Sequence, residues 1–339
     1  MTWKFEPALH SFAAAKAHWD SLNRLSHDHV LLDSRFVEAL LRRFDSSQVL
    51  LGIQEVGTIQ AMALVTRKGP GIWETFQPSQ APLGMLLKDS RQAPLEAIRG
   101  LLRSLPGPAL QVAILQQDPD FSSILPLTGS PEIDLLEYIK TPRLSIAGAY
   151  EDYWKSRSGN LRHNLSRQRK RLAEKGNRLE LVVCAAPASM ADAMREYGRL
   201  ESAGWKGTEG TAVMDGSAQG AFYRDVMEAF SATHEGMVYQ LLLDGKVVAS
   251  DLCLARNGML VVLKTAYDET IPQISPALLM REDIIRRLYE ERTINVVEFY
   301  GRVLDWHLKW TDQVRTLYHV NCFRHSWVEK IKKALKRLR

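Results

Sequence analysis

The stretch 237-MVYQLLLDGKVVASDLCLARNGMLVVLKTAYDE-269 decides how the chain is read. Apolar residues run through it in three blocks. The blocks are separated by Leu243-Asp244-Gly245-Lys246 and by Arg256-Asn257-Gly258. Asp-Gly and Asn-Gly suit the tight turns whose central residues need positive φ, so the stretch predicts a meander of three antiparallel strands. Asp251 interrupts the middle strand. With regular alternation it shares a face with Ala249 and Cys253, where a carboxylate is out of place unless it lines a cleft or the strand lies at an edge facing water.

Downstream, "TIPQISPA" (270–277) feeds a helix over Leu278–Glu291, and "NVVEFYG" and "LYHVNCFR" are further strands. Upstream lie a basic helix from Leu161 to Lys175, a strand at 179–185, and helices at Pro187–Ala203 and Phe222–Ser231. The first half follows a similar plan. Helical spacing covers 8–25 and 34–44, with Phe36, Leu40, Leu41 and Phe44 on one face and Asp33 or Ser34 as cap. Three strands then occupy 47–76, broken at Gly57 and at Lys68-Gly69-Pro70-Gly71. A helix is expected near 84–88 or after Ala93, a strand at 109–115, a short helix at 118–125, and a strand at 135–146 cut by Thr141-Pro142.

The halves match at two places in the same order. Glu55-Val56-Gly57 aligns with Leu243-Asp244-Gly245, and Ala81-Pro82-Leu83 with Ser275-Pro276-Ala277. The interval from glycine to proline is 25 residues in the first half (57 to 82) and 31 in the second (245 to 276). Two copies of one α/β unit account for both matches.

The length of 339 residues favours two domains over one. A net charge of +5 and a pI near 9.0 favour anionic partners. Between Arg162 and Arg178 there are seven Lys/Arg against the single acid Glu174, a local +6. Three readings of that run stay open: a solvated helix face, a surface turned to phosphate or an acidic substrate, or a nucleic-acid contact. The scarcity of aromatics within it counts against single-strand binding. Cys184, Cys253 and Cys322 are widely spaced, which argues against a disulfide framework or a zinc site. No secretory leader is apparent in "MTWKFEPALHSFAAAKAHW", and no apolar run nears the ~20 residues that span a bilayer, so the expected location is cytoplasmic. The segment "SWVEKIKKALKRLR" (326–339) reads as a basic amphipathic helix. Its apolar face over 327–338 suits either its own domain or weak contact with the inner membrane surface.

An ordered set of features runs through the second half: Trp154 with the basic helix, Glu201 with Trp205-Lys206, the Asp244–Ala249 turn, Ser275-Pro276 opening a helix, Phe299-Tyr300-Gly301, and Lys309-Trp310-Thr311. The set resembles the GNAT acyltransferase superfamily, in its BioF2-like branch of CelD/BcsL-type proteins, a cousin of the FemAB aminoacyl transferases. The resemblance implies an α/β (α+β) chain of tandem GNAT-like domains, each a mostly antiparallel mixed sheet flanked by helices. The expected boundaries are 1–145 for a degenerate first domain, 146–325 for the acyltransferase domain, and 326–339 for the basic helix. It also implies acetyl-CoA or another acyl-CoA as donor, an amine of a sugar-nucleotide or glycan precursor as acceptor, and no metal. The cofactor strand falls on Leu263, Lys264, Thr265, Ala266 and Tyr267, and the phosphate turn on Gln273, Ile274, Ser275, Ala277 and Leu278. That turn departs from the family pattern because it contains no glycine, which otherwise lets backbone approach phosphate closely. Acidic candidates for the general base are Glu201, Asp251, Glu298 and Asp305, with Tyr300 to protonate the leaving thiolate. Trp205, Lys309 and Arg162 are the expected substrate contacts. Two rival classes stay open: an aminoacyl transferase using aminoacyl-tRNA, and a non-catalytic module of a polysaccharide-synthesis complex.

Overall fold

Both turns of the meander take the backbone their sequences call for. Asp244 and Gly245 have φ of 52° and 81°, and Asn257 and Gly258 have 51° and 75°. The computed structural model describes residues 2–122, 127, 129–203, 217–271 and 273–328. Two compact units divide the chain, Met1–Lys140 with Thr316–Arg339, and Thr141–Arg315.

In chain order the first unit contains β1 (Trp3–Pro7), α1 (Ala8–Ser26), α2 (Ser34–Arg43), β2 (Leu50–Val56), β3 (Thr58–Gly69), β4 (Ile72–Thr75), β5 (Leu86–Lys88), α3 (Pro94–Ser104) and β6 (Gln111–Gln117). The strand β7 (Ile133–Ser145) runs across the division. The second unit continues with α4 (Tyr150–Ser156), α5 (Gly159–Glu174), β8 (Leu179–Cys184), α6 (Pro187–Ala203), α7 (Ala218–Ser231), β9 (Gly236–Leu243), β10 (Lys246–Arg256), β11 (Met259–Tyr267), α8 (Pro276–Glu291), β12 (Val296–Glu298) and α9 (Asp305–Leu308). A last strand, β13 (Val314–Phe323), returns to the first unit and pairs with β6.

Within the first unit the strand order is β1-β2-β3-β4-β6-β13, with β5 also on β3. Within the second it is β7-β12-β11-β10-β9-β8. Pairing is antiparallel except at β4 with β6 and β11 with β12, two parallel pairs each joined by a connection that contains a helix. Each unit is therefore a mostly antiparallel mixed sheet with one βαβ crossover. The first core gathers Trp3, Ala63, Trp73, Leu101, Val112 and Val320; the second gathers Leu165, Leu241, Cys253, Leu279, Ile284 and Trp310.

Several local expectations change. Residues 86–88 form a strand on β3, and the helix opens at Pro94, where a proline suits the first turn. Pro82 opens no helix, so only the hairpin half of the internal match marks equivalent elements. Residues 119–122 form turns rather than a helix, and 123–126 lie outside the described residues. Strand β7 runs straight through Pro142; its pairing with β12 begins at Arg143, one residue past the missing donor.

Candidate active site

The site is built on an irregularity in β11. Against β10, Lys264 faces Leu252 and Val262 faces Cys253, so Leu263 is an extra residue inserted in β11. Such a bulge re-aims the residues on either side of it. On the other edge, β12 pairs with β11 only at Met259, Leu260 and Val261. Beyond Val261 the two parallel strands part, and β11 runs on to Tyr267 with its β12-side edge released from the ladder. Leu263, Lys264 and Thr265 are half-buried there, and Tyr267 is 40% exposed.

The bulge sends Thr265 to the face covered by α8 and Lys264 to the face covered by α6 and α7. On the α8 face, Thr265 Oγ1 donates to Asp251 Oδ1 at 2.6 Å, and Arg281 Nη2 lies 2.6 Å from Asp251 Oδ2. Asp251 is fully buried and Arg281 is 3% exposed. Burial raises the Asp251 carboxyl above its usual range, while Arg281 and Thr265 pull it back down. The guanidinium also lies over the rings of Phe299 (5.4 Å) and Trp306 (6.0 Å), and its Nη1 has no hydrogen-bond partner. Asp251 therefore neither lines an open cleft nor faces water. Its charge is spent on positioning Arg281.

On the α6 face, Lys264 Nζ donates to Glu201 Oε1 at 3.2 Å and Tyr197 Oη to the same oxygen at 3.3 Å. The ammonium also sits 5.5 Å from the centre of the Tyr223 ring. Glu201 is 3% exposed, and burial together with this carboxylate raises both tyrosine hydroxyls. Glu201 is thus a buried side chain bonded to Lys264, the residue that follows the bulge.

Helix α5 covers the start of α8. Its Ser158 caps the helix and Leu161, Leu165 and Leu172 face the core. Arg169 reaches α8, donating to Glu282 at 3.0 Å and Asp283 at 2.7 Å. Gln168 accepts the Ser275 N–H at 2.7 Å, so one donor of the turn is already used. Beside the turn, Arg171 and Lys175 of α5 join Asn177, Leu243, Gln273 and Ile274 around a cavity of about 210 Å³. This answers part of the charge question. The run binds its own domain through Arg169 and presents cations to a hollow at the mouth of α8.

Residues 159–308 match the acetyltransferase (GNAT) domain family. They are a GNAT domain. Solved structures similar to the chain include the C-terminal domain (DUF2156) of a lysylphosphatidylglycerol synthetase-type protein from Agrobacterium fabrum, at 13% identity and TM-score 0.60, covering 93% of each chain. L-PGS from Bacillus licheniformis follows at 11% and 0.54, covering 91% of this chain and 92% of that one. FemX follows at 11% and 0.57, covering 93% and 98%. At these identities the likeness is one of fold, and it extends over both units. No curated protein matches the sequence.

The GNAT domain brings together Glu201 and Lys264 on one face, and Asp251 and Thr265 on the other. Ala266 is buried beside them, and Ile274, Ser275, Ala277 and Leu278 form the entry to α8. Asp305 and Lys309 are exposed at the two ends of α9 and Arg162 donates to the Arg157 carbonyl at 3.2 Å; no contact joins these three to the bulge. Glu298 is buried and accepts from Arg315 at 2.8 Å. Tyr300 follows β12 with φ of 48°, a left-handed backbone that a bulky side chain rarely adopts, and its ring lies under Arg315. Trp205 and the segment 329–339 lie outside the described residues; Trp327 is 54% exposed. Among the described residues no helix is long and apolar enough to cross a membrane, and no cluster of three or more His, Cys, Asp or Glu could hold a metal. Sequence reasoning missed Arg281, and it counted Arg171 and Lys175 in the basic run without setting them apart from its other cations. Arg281 was detectable in principle, since a lone aspartate in an apolar strand calls for a buried cation.

Proposed function

We propose that the chain is an N-acyltransferase that moves an acyl group, acetyl first, from an acyl-CoA to an amine of a sugar-nucleotide, glycan precursor or related metabolite. The observation that carries this reading is the parting of β11 from β12 beyond Val261, which leaves main-chain donors and acceptors for the amide-bearing arm of the donor. The phosphates fit the hollow beside α8, where Arg171 and Lys175 supply charge that the glycine-free turn does not. The attacking amine adds to the thioester carbonyl, and its proton passes to Glu201, which Lys264 holds in place at 3.2 Å. Main-chain N–H groups at the bulge hold the oxyanion. The C–S bond then breaks, and the thiolate takes a proton from Tyr300. In this reading the first unit carries no second transfer site.

Calorimetric titration with acetyl-CoA tests the reading, repeated with Arg171→Glu and Lys175→Glu. Micromolar binding weakened tenfold or more by each substitution supports it, and absence of binding by the unaltered protein overturns it. A second reading rests on Ser275, whose N–H is occupied by Gln168, and on the exposed cations of α5. Both favour a donor held by many phosphates, as an aminoacyl-tRNA would be; saturable tRNA binding without acetyl-CoA binding would select it. A protein that binds neither donor fits the non-catalytic module.

A further inference from the structure

An unpaired strand edge ordinarily recruits a partner, and the two units meet that tendency differently. In the first unit β4 and β6 pair over Ile72–Glu74 with Gln111–Ala113 and then separate. The chain itself fills that gap: Gly84 N–H donates to the Gln116 carbonyl at 3.4 Å, and a Cβ on Gly84 would sit 2.0 Å from Leu115 O. In the GNAT domain β11 and β12 separate beyond Val261 and Glu298, and β11 continues to Tyr267. Among the described residues no other strand takes up its released edge.

Arg281 stands at this parting, on the face covered by α8, and it touches both sides. Toward β10 and β11, its Nη2 lies 2.6 Å from Asp251 Oδ2 and donates to Thr265 Oγ1 at 3.3 Å. Toward the chain beyond β12, the guanidinium lies over Phe299, 5.4 Å from the ring centre, and over Trp306 at 6.0 Å. Phe299 directly follows β12. Trp306 is braced in turn, stacked on His307 at 3.6 Å and meeting Phe299 edge-on at 5.8 Å. A planar group thus occupies the space that Thr265 and Phe299 would share if the strands ran on at the ~4.8 Å of a ladder. Stability does not account for it. Arg281 is 3% exposed and Asp251 fully buried, and apolar side chains of similar volume would serve a core as well or better than such a pair. Arg281 Nη1 is also buried with no hydrogen-bond partner among the described residues, which is a further penalty. What an apolar side chain does not supply is a flat, rigid spacer fixed at one edge by an ion pair.

We propose that Arg281 is a positioning residue that holds β11 and β12 apart, with Asp251 and Thr265 fixing it on one side and Phe299 and Trp306 on the other. The proposal rests on the acyl-CoA reading only in placing the donor's arm in the parting. Without the guanidinium, the Phe299 segment closes on β11 and the open state becomes the minor one. A ligand that enters the parting then binds more weakly, in proportion to the fraction of chains still open, and once bound it reacts as before.

Two variants test it in the full chain. Asp251→Leu with Arg281→Met removes the spacer and its counter-charge together and keeps the core filled; Arg281→Lys retains the ion pair without the plane. Hydrogen exchange over residues 259–267, read by mass spectrometry without ligand, should slow about tenfold or more in the double variant, and in the same direction but less in Arg281→Lys. With acetyl-CoA, the KM of the double variant should rise about tenfold or more while kcat stays within roughly threefold, the opposite of the split expected for loss of a general base. Exchange that is the same in all three proteins overturns the proposal whatever acetyl-CoA does, and so does an unchanged KM in the folded double variant. If the double variant does not fold, exchange in Arg281→Lys decides. Failure of the unaltered protein to bind acetyl-CoA overturns the donor reading alone and leaves exchange to judge Arg281.

Discussion

Asp251 and Glu201 are both buried beside β11 and paired to different cations, Asp251 to Arg281 and Glu201 to Lys264. Asp251 is locked to Arg281, and removing it leaves a guanidinium that is 3% exposed with no counter-charge. Asp251→Leu should cost about 3–5 kcal/mol, while Asp251→Leu with Arg281→Met should lose far less, because the unpaired charge goes with its partner. Urea unfolding of the three proteins measures the difference; equal losses in the single and double variants would refute the pairing. Glu201→Gln keeps an acceptor for Lys264 but removes its counter-charge, and should cost about 1–3 kcal/mol of stability. It should lower kcat by ~10²–10³ with little change in KM, as expected for loss of a general base. Steady-state kinetics with acetyl-CoA would decide it. From sequence, Asp251 stood out by interrupting an apolar strand, but its neighbours along the chain do not identify the cation thirty residues away that neutralises it.

At the scale of elements, short signals were legible wherever geometry leaves few choices. Both Asp-Gly and Asn-Gly turns form where their positive-φ preference put them, and α6 covers the range its apolar spacing gave. The bulge at Leu263 and the parting of β11 and β12 carry no such local mark, since the residues involved are ordinary strand formers. Helix α9 supplies a pH test. His307 Nδ1 accepts the Leu304 N–H at 3.0 Å, and burial beside Arg281 pushes its pKa down to about 4. The unfolded chain then binds the proton more readily than the folded one. This contribution is complete above about pH 6.5 and is lost as pH falls from there towards 4, on the order of 2 kcal/mol in all. His307→Asn should flatten the dependence of Tm on pH across that window; an unchanged slope would show that His307 is not its source.

For the molecule as a whole, the net charge of +5 says that anions are welcome without saying which. Part of the basic run is internal, since Arg169 is spent on Glu282 and Asp283. A donor with the few phosphates of acetyl-CoA should lose about tenfold or less in affinity between 50 and 200 mM salt, whereas a tRNA spanning the exposed cations should lose on the order of 10³. Titrations at the two salt concentrations separate the two readings, and a steep acetyl-CoA dependence would contradict the compact phosphate site proposed beside α8.

The sequence by itself determined the α/β class, the meander at the centre of the second unit, the likeness of the two halves at their hairpins, and the GNAT character of residues 159–308. The first three follow from turn preferences and apolar periodicity, which act over a few residues, and the last from likeness to a known family. Only the tertiary structure decided that Asp251 is buried against Arg281, that Glu201 meets Lys264 across 63 residues, and that Gly84 closes in the first unit the edge that stays released in the second. The physical reason is that a charge or a strand edge is defined by what packing brings to it. Packing joins residues that the local code never places side by side.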